Sequence, residues 1–209
     1  MRSIVVPLLL AALPAQQALA ADTVYLNQDN ITVAVGAGTS AGGFNNTFSG
    51  GRTIAKVIDA PSAAAAEVHS QTTHIWFTAD SVGGGLELVF DFGTSYDLQT
   101  LHFWNYDSEG FDVDSLSFRF YNAGNAEIGS LTLTPALGSS PAILAQDIPL
   151  AAPLNVRSVK AFLSGSNRQV DFQNIGFTAV VSVVPEPATT ALLLLGLGAV
   201  ATLARRQRR

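Results

Sequence analysis

Hydrophobic and polar residues alternate through most of the middle of the chain. Leu86, Leu88, Phe90 and Phe92 fall on one side of a two-residue repeat, with Glu87, Val89 and Asp91 on the other. Successive side chains of an extended strand point to opposite faces, so this spacing predicts half-buried strands and not helices. Leu101 and Phe103 alternate in the same way with His102 and Trp104, and Leu116, Phe118 and Phe120 with Ser117, Arg119 and Tyr121. Further strands are expected at 31–35, 54–58, 74–78, 128–134, 156–163 and 170–181. Stretches rich in Gly, Asn, Ser and Asp at 36–51, 80–85, 122–125 and 165–167 separate them, which predicts an all-β sandwich or jelly roll. The alanine-rich stretch 62–68 has helical composition but is short, a turn and a half of helix set in a loop at most.

Two apolar tracts break this pattern, one near each end. Residues 1–20 carry Arg2, an apolar run over 4–13, Pro14, and then Ala18-Leu19-Ala20, whose small residues suit a signal peptidase. About ten apolar residues are too few to cross a ~30 Å hydrocarbon core, so this tract reads as a cleaved signal peptide. The second tract, 188–204, has no charge and is followed by Arg205, Arg206, Gln207, Arg208 and Arg209. Seventeen helical residues reach about 25 Å, enough for a short transmembrane helix, and the arginines set topology by holding the C-terminus on the cytoplasmic side. Just before it, Pro185-Glu186-Pro187 disfavours helix and leaves an extended strip that a processing enzyme can grip.

A Pro-Glu-Pro motif, a short Leu/Ala/Gly helix and a basic end, in that order within 185–209, resemble the PEP-CTERM sorting signal of bacterial exported proteins. The resemblance implies recognition of Pro185, Glu186 and Pro187 by an exosortase. It further implies a transient stay in the inner membrane and delivery to the cell surface or extracellular matrix of a Gram-negative bacterium.

The segment between, 21–184, is long enough for one domain with a real core. Its six lysines and arginines against fifteen carboxylates give a net charge of −9, which argues against nucleic acid as a partner. The chain has no cysteine, so no disulfide, thiol nucleophile or thiolate metal site is available. Within this domain KVIDAP, then TTHIWFTAD, then LELVFDFGTSYDLQTLHFWNYDSEGFDVDSLSFRFYNAGN are similar to discoidin-like domains of the galactose-binding jelly-roll superfamily. Phe90-Asp91-Phe92-Gly93 matches that family's strand end, and Trp104-Asn105-Tyr106 the start of the next loop. The resemblance implies glycan binding by loop residues and a structural calcium ion. The positions it implies for calcium are Asp59, a threonine oxygen at Thr72 or Thr73, and Gln173. The family has an acidic residue where Gln173 stands, so one charge is missing and a cofactor is not required.

Sugar recognition needs aromatic faces for the apolar side of a pyranose and planar polar groups for its hydroxyls. Asn105, Tyr106, Asp107 and Arg168 are loop or loop-edge residues of those types, and they are the expected ligand-binding set. Trp76 and Trp104 fall in strands, where an indole is normally core. The stretch 105–110 begins like an EF-hand loop but has Leu116 at the twelfth position, so it reads as a solvated loop. His69, His74 and His102 fit no catalytic motif, and in a strand the five-residue separation of His69 and His74 puts them on opposite faces. Asp112 and Asp114 share a face as paired glycosidase carboxylates would, yet read as a solvated edge. No catalytic residue is assigned. The leading expectation is therefore an exported, non-catalytic protein that associates with carbohydrate, namely exopolysaccharide. A matrix or adhesion protein without a ligand site is the alternative, and a glycan hydrolase comes third.

Overall fold

Ten strands follow in chain order: β1 (Thr23–Leu26), β2 (Thr32–Val35), β3 (Gly42–Phe44), β4 (Ile75–Ala79), β5 (Leu86–Asn105), β6 (Ser115–Tyr121), β7 (Glu127–Leu133), β8 (Gln146–Pro149), β9 (Val156–Ser164) and β10 (Gln169–Val181). They are seen in a computed structural model that describes residues 22–70, 74–151 and 154–182, and the single position 197. Every strand pairing is antiparallel. The expected signal peptide, Thr72 and Thr73, the Pro185-Glu186-Pro187 motif and the arginines at 205, 206, 208 and 209 lie outside the described residues. Among the described residues no helix is long and apolar enough to cross a membrane.

The two layers of the sandwich share one strand. The first part of β5 (residues 86–91) pairs with β2 on one side and β9 on the other, and β9 leads on to β6 and β7. The second part (96–105) pairs with β10 and β8, with Tyr96 still meeting Val156 of β9. Beyond β10 lie β4, then β3, with β1 continuing the same edge. The changeover is written in Asp91-Phe92-Gly93. Gly93 has φ +68°, a left-handed conformation that a side chain would strain, and its N–H donates to the Asp91 carboxylate at 3.0 Å. Asp91 also pairs with Arg157 of β9, so the bend is tied to the neighbouring strand.

The expected alternation holds where a layer has one wet face. Leu86, Leu88, Phe90 and Phe92 are buried while Glu87 and Val89 are half-buried and Asp91 is exposed. Phe177 of β10 packs edge-on to Phe90 and Phe92 at 5.5 and 5.3 Å between ring centres, joining the layers. At the end of β5 the alternation fails, and Leu101 through Asn105 are all buried. The outer face there is covered by the segment after residue 59. Trp104 packs with Ala60 and Ile143 and donates its indole N–H to the Ala65 carbonyl at 2.8 Å. His102 bonds Asp147 and Thr178, each at 2.6 Å.

Two expected elements take another form. Residues 54–58 make a 3-10 turn, Ile54–Ile58, instead of a strand. The turn buries the consecutive residues Lys56, Val57 and Ile58, which one face of a strand could not do, and the Lys56 ammonium donates to the Thr47 carbonyl. The 62–68 stretch forms no helix; Glu67 bridges Ile143 through two backbone hydrogen bonds, so tertiary pairing overrides the weak helical preference of so short a segment. Strands β1, β3 and β8 were not expected from the sequence.

Truncating Phe177 to alanine should lower unfolding stability by about 3–5 kcal/mol, seen as a lower urea midpoint at unchanged slope. Val181→Ala, at a half-exposed position on the same strand, should stay within about 0.5 kcal/mol of the parent.

Candidate functional site

Antiparallel register between β4 and β10 sets Trp76 opposite Asp171 and Thr78 opposite Gln169. Directly opposed residues share a face, so Trp76, Thr78, Asp171 and Gln169 line one side of the layer. Gln169 Oε1 accepts hydrogen bonds from the Trp76 indole at 2.7 Å and from the Thr78 hydroxyl at 2.8 Å, which fixes the ring plane. His74 precedes β4 and its Nδ1 lies 2.8 Å from Asp171 Oδ1, both side chains almost wholly buried.

Two loops close this stripe into a cleft of about 170 Å³ lined by His69, His74, Trp76, Tyr106, Phe111 and Asp171. The loop after β5 contributes Tyr106 and Phe111, and the segment before β4 contributes His69. Tyr106 stacks on His69 with ring centres 4.5 Å apart, and Phe111 stands edge-on to Trp76 at 6.0 Å. His69 and His74 are themselves perpendicular, 4.7 Å apart. His69 Nδ1 and His74 Nε2 are buried without a hydrogen-bond partner among the described residues. Burial holds the His69 imidazole below its ordinary pKa, helped by neighbouring His74, and so favours the neutral ring. Burial raises the Asp171 carboxyl, against the opposing pull of His74. Tyr106 is raised by burial and by Asp171 and Asp107.

The cleft can grip a flat, half-apolar ligand, with indole, phenyl and phenol faces as walls and imidazole and carboxylate at the floor.

The four expected ligand-binding residues divide. Tyr106 lines the cleft. Asp107 is half-buried beside it and acts electrostatically on His69, Tyr106 and Asp171. Asn105 is buried and committed inward: its amide donates to the carbonyls of Val113 and Ala136 at 3.1 and 2.9 Å, and its oxygen accepts from Val113 and Tyr106 N–H at 2.9 and 3.0 Å. It holds the loop and presents nothing to solvent. Gly138 lets the 136–138 segment pass this strand end, since a Cβ there would lie 2.3 Å from the Asn105 carbonyl oxygen. Arg168, exposed in the β9–β10 turn with φ +75°, donates to the Asp80 carbonyl at 3.3 Å and does not line the cleft.

Trp76, unlike Trp104, is only half-buried and serves as a wall. His69 and His74 meet instead of diverging, because His69 lies in a loop where strand alternation does not apply. Asp112 is buried, not solvated; its Oδ1 lacks a partner, and burial together with Asp114 and Glu109 raises its pKa. Phe111, 41% exposed, was missed. The available signal was a large aromatic among acidic loop residues.

Of the calcium set implied by the jelly-roll resemblance, Asp59 and Gln173 are described, whereas Thr72 and Thr73 lie outside the described residues. Asp59 is a single carboxylate, 3.6 Å from Arg52 and further opposed by the Lys56 charge. Gln173 offers one buried oxygen, but its own amide nitrogen and that of Asn174 are also unpartnered, and N–H groups repel a cation. Calcium takes six to eight oxygens, of which this pair would supply only a part.

A family model for the PEP-CTERM protein-sorting motif matches residues 183–209. No curated protein matches the chain. Among solved structures the fold is similar to a SusE-like protein, at 14% identity and TM-score 0.51, covering 74% of this chain and 99% of that one. It is also similar to an F5/8 type C domain from Bacteroides fragilis, at 10% identity and TM-score 0.50, covering 77% and 98%. The family 32 carbohydrate-binding module of C. perfringens NanJ, in complex with galactose, aligns at 12% identity and TM-score 0.49 over 75% of this chain and 99% of that one.

The inward role of Asn105 is tested by stability. Asn105→Ala should cost about 2–3 kcal/mol by leaving buried backbone groups unpaired, whereas Tyr106→Ala should cost less than about 1 kcal/mol; thermal unfolding of the two variants decides. The chain thus carries a PEP-CTERM sorting motif behind an all-β sandwich whose fold is similar to that of an F5/8 type C domain.

Proposed function

We propose that this protein is an exported, non-catalytic module that binds carbohydrate in the Trp76–Tyr106–Phe111 cleft and is sorted to the cell surface or extracellular matrix by its tail. The observation that carries the reading is the pairing of three aromatic walls with a buried polar floor in one open cleft. A pyranose has an apolar face and a rim of hydroxyls, and that division matches walls and floor. The net charge of −9 between the terminal tracts disfavours a polyanionic nucleic acid and suits a neutral or weakly charged glycan. The glycan is the cell's own exopolysaccharide, which is the polymer a surface-sorted protein meets first. Asp112 and Asp114 both make contacts within the loop region: Asp112 is buried beside Asn105, and Asp114 accepts the Ser166 N–H.

Export uses the signal peptide at 1–20, and the tail passes through the inner membrane, where an exosortase recognises Pro185, Glu186 and Pro187. The matched motif supports this route.

On a glycan array, or by retention on isolated matrix polysaccharide, Trp76→Ala and Phe111→Ala should each weaken binding about tenfold, the loss of one stacking contact of about 1.4 kcal/mol. Val82→Ala, at an exposed site outside the cleft, should bind as the parent does. Absence of saturable binding by the parent, with biofilm defects on deletion, would favour the matrix or adhesion alternative. Separately, replacing Pro185-Glu186-Pro187 by three alanines should leave export intact and the protein uncleaved in the inner membrane, as read by fractionation and size; normal processing of that variant would refute the sorting route.

A further inference from the structure

The floor of the cleft is over-supplied with nitrogen and oxygen for a purely hydrogen-bonding surface. His69, His74 and Asp171 each present a ligand atom, and the three atoms lie within 4.8 Å of one another. His74 is 1% exposed, with Nε2 unpartnered; His69 Nδ1 is likewise buried and unpartnered. Leaving a buried polar atom unpaired is costly, so two such atoms on two residues of one floor need a physical reason. The tautomers supply one. When His74 Nδ1–H donates to Asp171 Oδ1 at 2.8 Å, the lone pair of His74 sits on Nε2. A histidine oriented by a carboxylate through its other ring nitrogen is the arrangement that metal-binding imidazoles use. When His69 Nε2–H points to the Tyr106 hydroxyl, 3.5 Å away, the lone pair of His69 sits on Nδ1. Both orphaned atoms are then acceptors with nothing to accept.

We infer that His69 Nδ1 and His74 Nε2 hold a divalent transition-metal ion of the zinc class, with Asp171 orienting His74 and completing the charge balance. Imidazole nitrogens select such an ion over calcium, which takes oxygen ligands. Two nitrogens on one tetrahedral zinc sit about 2.0–2.1 Å from it, hence roughly 3.4 Å apart, and the two imidazoles that would supply them have ring centres 4.7 Å apart. Because both histidines line the cleft, water or vicinal sugar hydroxyls entering it would complete the coordination. The inference deepens the carbohydrate reading by giving its floor an ion, but metal binding itself does not depend on that reading.

The test titrates ZnCl2, and in parallel CoCl2, into the chelator-stripped full chain by calorimetry and visible absorption. One ion should bind per chain, with the cobalt spectrum showing nitrogen coordination. His69→Ala, in a half-exposed loop, and His74→Ala should each weaken binding at least about 100-fold, and Asp171→Asn about 10–100-fold. Should His74→Ala fail to fold, His69→Ala and Asp171→Asn with parental circular dichroism still decide. No saturable binding by the parent, or undiminished binding by His69→Ala, overturns the inference. So does binding lost in Asp112→Asn but kept in His69→Ala, which would move the ion to the Glu109–Asp112–Asp114 carboxylates. Glycan retention measured with zinc and with chelator separates the two readings. Metal binding without glycan binding removes only the carbohydrate reading, and glycan binding in chelator by a chain that takes no metal removes only this one.

Discussion

The sandwich depends on one strand serving both layers. β5 is twenty residues long and changes partners near Gly93, from β9 and β2 to β10 and β8. With no cysteine in the chain, no disulfide ties the layers together. Backbone continuity through the bend and the aromatic contacts of Phe90, Phe92 and Phe177 therefore share that work. This explains why Asp91-Phe92-Gly93 combines a residue that caps the bend, one that fills the core behind it, and one that tolerates the left-handed turn.

The site inherits its precision from the same frame. β10 is bonded to β5 along one side and to β4 and β1 along the other, so its position is fixed from both directions. Asp171 and Gln169 are placed by that pairing, and Trp76 by its register with them. The loop side is anchored differently. Asn105 closes four hydrogen bonds around the base of the loop after β5, and the Asp171 N–H donates to the Phe111 carbonyl at 2.9 Å. Walls and floor are thus joined through backbone bonds, so the aromatic faces stand ready and little entropy remains to be lost when a ligand arrives.

The sequence showed those elements whose residues face one apolar and one wet side. β6 and the first part of β5 follow a two-residue rhythm because one face of each is buried, whereas residues 170–177 of β10 are buried without alternation. β1, β3 and β8 are three or four residues long, and Gly42-Gly43-Phe44 or Gln146-Asp147-Ile148-Pro149 has too little side-chain contrast to reveal a strand. Their pairing is dictated by the exposed edge they meet, which is information held elsewhere in the chain. The site was half legible for a related reason. Tyr106 and Asp107 stood out as ligand-type residues in a loop. The meeting of His69 with His74 depends on a chain path that no periodicity encodes, and Asn105 looked like a ligand group because composition cannot tell which way an amide faces.

The direction of β10 also relates the cleft to the sorting tail. Asp171 lies near the start of this strand and Val181 at its end, two residues before the matched motif begins at 183. Ten residues at about 3.3 Å each separate the two ends by roughly 33 Å, a little less where the bulges shorten the strand. The last strand of the domain therefore enters the tail at the end opposite the cleft. That placement keeps β4 and the loop that carries Tyr106 and Phe111 remote from the point where the matched motif begins. The strand that carries Asp171 is paired along both sides, with β5 on one and with β4 and β1 on the other, so the placement of the cleft floor rests on pairings inside the domain.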